Sequence, residues 1–166
     1  MKVYRLQTVQ QLPVDLSAAW SFFSNPANLE GITPPELKFR IITRVPRDVY
    51  TGLLIGYRLR VPPGLPVTWW TEIKHVEAPH RFVDEQRFGP YALWYHEHHF
   101  RAVDGGVEMT DTVHYALPGG WLGRLAHSLF VGRQVRGIFE HRTKVLEKLA
   151  AEGGLVPATA GDTRGP

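Results

Sequence analysis

The chain contains no cysteine. Disulfides, thiolate zinc sites and cysteine nucleophiles are excluded together. No apolar run reaches the roughly 18 residues that a membrane-spanning helix needs. The opening "MKVYRLQTVQQLPVD" alternates and turns polar early, unlike a secretory signal. A cytoplasmic location is the resulting expectation. Excess charge is also lacking: the formal net charge is only +3. The basic pairs Lys38/Arg40 and Arg58/Arg60 alternate as on an outward strand face. With no RNA-binding signature and no zinc finger, no nucleic-acid partner is expected. There is no internal repeat and no signal for an oligomeric state.

What is present suffices for one domain. The chain has 166 residues, 43% of them hydrophobic, enough for a real core. Residues 1–151 form the expected domain. The stretch 152–166, rich in Gly, Pro, Ala and Thr, reads as a disordered tail. Val3 to Leu12 alternates as a strand. Two short helices follow. The first is capped by Asp15 or Ser17 and carries Ala18, Ala19, Phe22 and Phe23. The second is capped by Ser24 or Asn25, has Pro26 in its first turn and stops at Gly31. "TPP" predicts an extended exit. From Glu36 to about Leu117 six strand-like segments run in series, the last two joined by "DGG", a hairpin signal. After "PGGWLG" the period changes. Leu122, Leu125, Leu129, Ile138, Phe139, Val145, Leu146 and Leu149 recur every three to four residues, predicting a long amphipathic helix bent near Gly132 or Gly137. A curved antiparallel sheet must cover its apolar face, and this helix is the long element available to do so.

Strand parity assigns faces. Trp94, His96, His98 and Phe100 share an inner face with Met109, Asp111, Val113 and Tyr115. Tyr95, Glu97, His99 and Arg101 share the outer, solvent-facing one with Glu108, Thr110, Thr112 and His114. In "RFVDEQRF", Phe82, Asp84, Gln86 and Phe88 separate from Arg81, Val83, Glu85 and Arg87. Trp69, Thr71 and Ile73 form the next inner row, and Tyr57 and Leu59 the one after. The inner face thus mixes aromatics with His96, His98, Asp84, Gln86 and Asp111. Buried imidazoles and carboxylates need partners. A ligand pocket with convergent polar groups provides them, and so does an internal hydrogen-bond network.

The segments "LPVDLSAAWSFFSNPANLEGITPPELKFRI", "WWTEI", "RFVDEQRFGPYALWYHEHHF" and "DTVHYALP" resemble the SRPBCC superfamily. That superfamily spans START lipid-binding domains, birch-pollen-allergen-like proteins and polyketide cyclase/dehydrases. The likeness is to a branch of ligand-binding SRPBCC proteins of unknown function and covers roughly Tyr4 to Leu149. It implies an α+β helix-grip fold: a seven-stranded antiparallel sheet wrapped around a long C-terminal helix, two short helices after the first strand, and a deep cavity. Its pattern falls on Trp69, Phe82, Asp84, Gln86, Gly89, Pro90, Tyr91, Trp94, His96, His98, Phe100, Asp111 and Tyr115. One departure is "VYTG", where Val49 and Tyr50 stand in place of a methionine.

The expected function is binding of a hydrophobic or amphipathic small molecule, such as a lipid, polyketide or aromatic compound. Expected ligand-binding residues are Tyr57, Trp69, Thr71, Phe82, Asp84, Gln86, Tyr91, Trp94, His96, His98, Phe100, Asp111 and Tyr115. The helix and the loops 45–52 and 62–66 would frame the mouth. The first alternative is a cyclase or dehydratase using a cavity dyad, His98–Asp111 or His96–Asp84, since an imidazole beside a carboxylate can move protons near neutral pH. The second is a protein-interaction module presenting Tyr95 or Trp70. His96-x-His98 with Asp111 has the donors for a metal, but no metal and no cofactor is expected. Ser17, Ser21, Ser24 and Ser128 sit outside any nucleophile elbow, which argues against serine hydrolysis.

Overall fold

The computed structural model describes residues 1–155. Seven strands form one sheet: β1 (Tyr4–Leu12), β2 (Arg40–Ile41), β3 (Leu54–Val61), β4 (Leu65–Glu77), β5 (Arg81–Phe88), β6 (Leu93–Val103) and β7 (Gly106–Ala116). Their order is β1-β7-β6-β5-β4-β3-β2, every neighbouring pair antiparallel. β2 to β7 form the expected meander, and β1 closes onto its last strand. "LKFRIITR" contributes only the two residues of β2, and side chains take backbone groups beside it: Glu30 Oε1 accepts from the Ile41 N–H and Thr43 Oγ1 from the Gly56 N–H.

Helix α1 (Leu16–Phe23) starts where Asp15 accepts a hydrogen bond from the Ala18 N–H at 2.7 Å. It buries Ala19, Phe22 and Phe23. The second short helix is a 3₁₀ turn, Pro26–Leu29, with Asn25 accepting from the Ala27 N–H. "TPP" does not simply extend. Pro35–Leu37 makes a further 3₁₀ turn, ended by Lys38 in the left-handed region at φ 44°.

The C-terminal helix comes in three pieces: α2 (Trp121–Ala126), a π turn (His127–Val131) and α3 (Gly132–Ala151). The bend expected near Gly132 is this π turn. α3 covers the sheet with Val135, Phe139 and Leu146, and Gln10 Nε2 donates to the Thr143 carbonyl. Leu122, Leu125 and Leu129, expected on the core face, are exposed instead. They precede the point where the helix crosses the sheet, so nothing lies beneath them.

Packing runs past Ala151: Gly153, at φ 69°, turns the chain and Leu155 is buried in the core. The rest of the expected tail, 156–166, lies outside the described residues. Among the described residues no helix is long and apolar enough to cross a membrane. The outer face of the sheet also departs from simple parity. Thr112 and Val83 are buried. Both are direct cross-strand neighbours of Glu97, whose ion pair with Arg81 at 3.1 Å shields them.

Candidate functional site

Between the sheet and α3 lies a cavity of about 200 Å³. β3 contributes Ile55, Tyr57, Leu59 and Val61, and β4 contributes Trp69, Thr71 and Ile73. β5 and β6 give Phe82, Asp84, Trp94, His96 and His98, with Tyr91 from the loop between them. Phe22, Phe23 and the segment from Asn25 to Phe39 close one side. Gln134, Ile138, Phe139 and Arg142 close the other. The lining is mainly apolar and aromatic. Trp69 stands edge-on to Trp94 at 5.2 Å, and Phe82 stacks on His98 at 4.1 Å.

The polar centre is a ring of four side chains. The ladder sets His96 opposite Asp84 and His98 opposite Asp111. His96 Nε2–H donates to Asp111 Oδ1 at 2.9 Å, and His98 Nε2–H donates to Asp84 Oδ2 at 2.9 Å. His96 Nδ1 lies 3.3 Å from Asp84 Oδ2. His98 Nδ1 lies 2.7 Å from Asp111 Oδ1, but off the hydrogen-bonding axis, a close polar contact rather than a hydrogen bond. Each carboxylate therefore serves both imidazoles. The four residues expected as two dyads, His98–Asp111 and His96–Asp84, form one cluster, but its hydrogen bonds pair them crosswise, His96 with Asp111 and His98 with Asp84; the expected pairs are close contacts only.

Burial works against every charge here. It depresses His96, but the Asp84 charge and hydrogen bonds to Asp111 and Asp84 outweigh it and raise His96 to about 9. Burial likewise pushes Asp84 up, and the His96 charge with hydrogen bonds from His96 and His98 holds it well below the carboxylate range. Asp111 is also held well below that range, against its burial, by Arg142 and His98. His96, Asp84 and Asp111 are thus held in their charged forms around neutral pH. Burial also keeps Tyr57 and Tyr91 in the phenol form.

The four members differ in access. Asp111 is not part of the cavity lining, whereas Asp84 is, with 18% of its side chain exposed there. Of the other expected ligand-binding residues, Tyr57, Trp69, Thr71, Phe82, Tyr91, Trp94, His96 and His98 also face the cavity. Gln86, Phe100 and Tyr115 do not, each for a visible reason. Gln86 pins the β5–β6 loop: its Nε2 donates to the Tyr91 carbonyl at 2.7 Å, and its Oε1 accepts from the Tyr91 N–H. A side chain at Gly89 would collide with that amide. Phe100 packs among Trp20, Phe23 and Phe82. Tyr115 turns to α2's end of the sheet, where its hydroxyl hydrogen-bonds His127 Nε2 at 2.9 Å. Of the expected mouth loops, Val49 reaches the cavity and 62–66 do not. Tyr95 and Trp70 are half-buried rather than projecting.

Arg142 was not anticipated. It lines the cavity, its guanidinium lies 5.6 Å from the Phe23 ring, and its Nε has no hydrogen-bond partner among the described residues. The signal was present, since Val135, Phe139, Arg142 and Leu146 fall on one helical stripe. A cation in that stripe marks a polar demand inside.

Asp84, His96 and His98 each bring one donor atom within 4.8 Å of the others, the minimum for a metal. Both ring nitrogens of each histidine already face carboxylates. An ion there would compete with these carboxylate contacts.

No family model matches the chain, and no curated protein is similar to it in sequence. Solved structures are similar to it in fold. Protein Ms6760 from Mycobacterium smegmatis superposes with a TM-score of 0.67 at 18% identity, covering 92% of this chain and 98% of that one. A Thermus thermophilus protein, TTHA0849, gives 0.65 at 20% identity over 90% and 99%. Ara h 8.0201 gives 0.66 at 13% identity over 91% and 99%. At such identities the likeness is one of fold. The chain has the helix-grip fold of the birch-pollen-allergen-like SRPBCC proteins.

Proposed function

We propose that this chain binds a small, largely apolar molecule in the cavity between the sheet and α3, with a hydroxyl or amine of the ligand donating to Asp84. The observation that carries this reading is the asymmetry of the polar ring. Asp84 Oδ2 is committed to the two histidines, while the carboxylate reaches the cavity. An ionised acceptor in an aromatic chamber selects a hydrogen-bond donor on an apolar body. A volume of about 200 Å³ is slightly above that of an engineered cavity that admits benzene, about 150 Å³. A single substituted ring fits, and a fused-ring polyketide or a lipid tail requires the walls to part.

The acid–base reading is weaker for a physical reason. Catalytic groups work best with pKa values near the operating pH. Here the carboxylates sit well below it and His96 sits at about 9. The same values suit a fixed electrostatic anchor.

The test is titration calorimetry with matched ligand pairs, a phenol and its methyl ether. The phenol should bind at least about tenfold tighter, the difference one hydrogen bond to a charged acceptor makes, and Asp84→Asn should erase the gap. Equal affinities in the unmutated protein would refute the role given to Asp84.

A further inference from the structure

The helical stretch that leads into α3 carries an apolar face with nothing against it. Trp121, Leu122, Leu125, Leu129 and Phe130 are all at least half exposed. At about 100° per residue, a plain α-helix would spread these five over about 180°. The π turn corrects this. The Gly132 N–H donates to the His127 carbonyl five residues back, which takes up one extra residue and gathers the set into about 120°. Gly132 permits it, because a Cβ there would meet the His127 ring at 2.9 Å.

The opposite side of the same turn is anchored. His127 stacks on Tyr4 with ring centres 3.4 Å apart and hydrogen-bonds Tyr115. The apolar face is therefore held outward. A patch of this kind marks an interaction site.

Charge selects the occupant. Arg124, Arg133 and Arg136 are exposed around the patch, and no carboxylate occurs between Thr112 and Glu140. A second copy docked by two-fold symmetry would bring these arginines against their own counterparts. The segment 156–166 has Val156 as its only large apolar side chain, too little to cover the patch. A Trp-, Leu- and Phe-bearing helical face ringed by arginine matches an interfacial segment on anionic lipid.

We propose that Trp121, Leu122, Leu125, Leu129 and Phe130 dock this protein onto an anionic bilayer surface, with Arg124, Arg133 and Arg136 on the headgroups. α3 continues from this patch into the cavity wall at Gln134 and Ile138. Docking would thus set that wall beside the bilayer, but it does not depend on the cavity being a binding site.

The experiment is co-sedimentation of the full chain with vesicles of equimolar phosphatidylcholine and phosphatidylglycerol, against phosphatidylcholine alone, at low and high salt. Binding should be confined to the anionic vesicles and weaken with salt. Leu129→Glu should abolish it, and Arg133→Gln should lower partitioning about fivefold. Both positions are exposed, so melting temperatures should hold. Absence of binding at low salt overturns the proposal. So does binding that both variants leave unchanged, or a lipid-independent dimer that Leu129→Glu dissociates.

Discussion

Asp111→Asn replaces one carboxylate of the polar ring with an isosteric amide. Asp111 Oδ1 lies 2.9 Å from His96 Nε2 and 2.7 Å from His98 Nδ1, and the residue is only 6% exposed. The amide keeps the volume and one acceptor oxygen but removes the negative charge that balances the buried His96 cation. Breaking one side of a buried ionic contact costs about 3–5 kcal/mol. For a domain of this size that lowers the melting temperature by about 10 °C. The pH dependence gives a second reading. His96 binds its proton up to about 9 in the folded protein, against 6.5 for ordinary imidazole. Between those values the folded state holds a proton that the unfolded chain has released. Stability is therefore fully present below about 6.5 and is lost as the pH rises through about 9, by about 3 kcal/mol. The lowered carboxylates act at the other end, contributing above about pH 4 and failing as the pH falls further. Urea denaturation at constant ionic strength should show a plateau from about pH 4 to 6.5 and a decline toward pH 9. Asp111→Asn should be less stable throughout and decline less. A flat profile for the unmutated protein between pH 6.5 and 9 would refute the ionised ring, as would a variant melting within about 2 °C of it.

Ile138→Trp projects a larger side chain into the cavity from a half-buried position on α3 and should block ligand uptake while costing about 1–3 kcal/mol; calorimetry and thermal melts check the two effects separately. Gln86→Ala removes both hydrogen bonds that hold the β5–β6 loop, and should cost about 1–3 kcal/mol and speed hydrogen exchange of the Tyr91 amide. Gly132→Ala should disturb the π turn and loosen His127 from Tyr4, visible as altered His127 ring shifts in NMR spectra.

Much of this architecture is written in local patterns. The alternation of "ALWYHEHHF" and "VEMTDTVHYAL", joined by "DGG", is enough to put His98 and Asp111 on one face and to send His99 outward beside Glu97, 3.3 Å away; the hairpin register, which alternation leaves open, sets His98 opposite Asp111. Capping chemistry places Asp15 and Asn25 for the same reason: each answers orphan N–H groups one turn on. What parity cannot say is how far a side chain reaches past its face. Gln86 and Tyr115 share the inner face, yet one bends into a loop and the other to a helix end, and both choices depend on elements distant in sequence. Nor does a helical period say where the helix meets the sheet. Leu122 and Leu146 obey the same spacing, and only the second has a sheet beneath it. The π turn is likewise silent in the pattern, since it needs the clearance that Gly132 provides against His127.

The central claim is that the chamber between the sheet and α3 holds a small molecule. Native mass spectrometry of the protein purified without added ligand tests it most directly. The account predicts a retained mass of single-ring size, released on denaturation and absent from Ile138→Trp. The bare polypeptide mass, unchanged after incubation with substituted phenols, would contradict it.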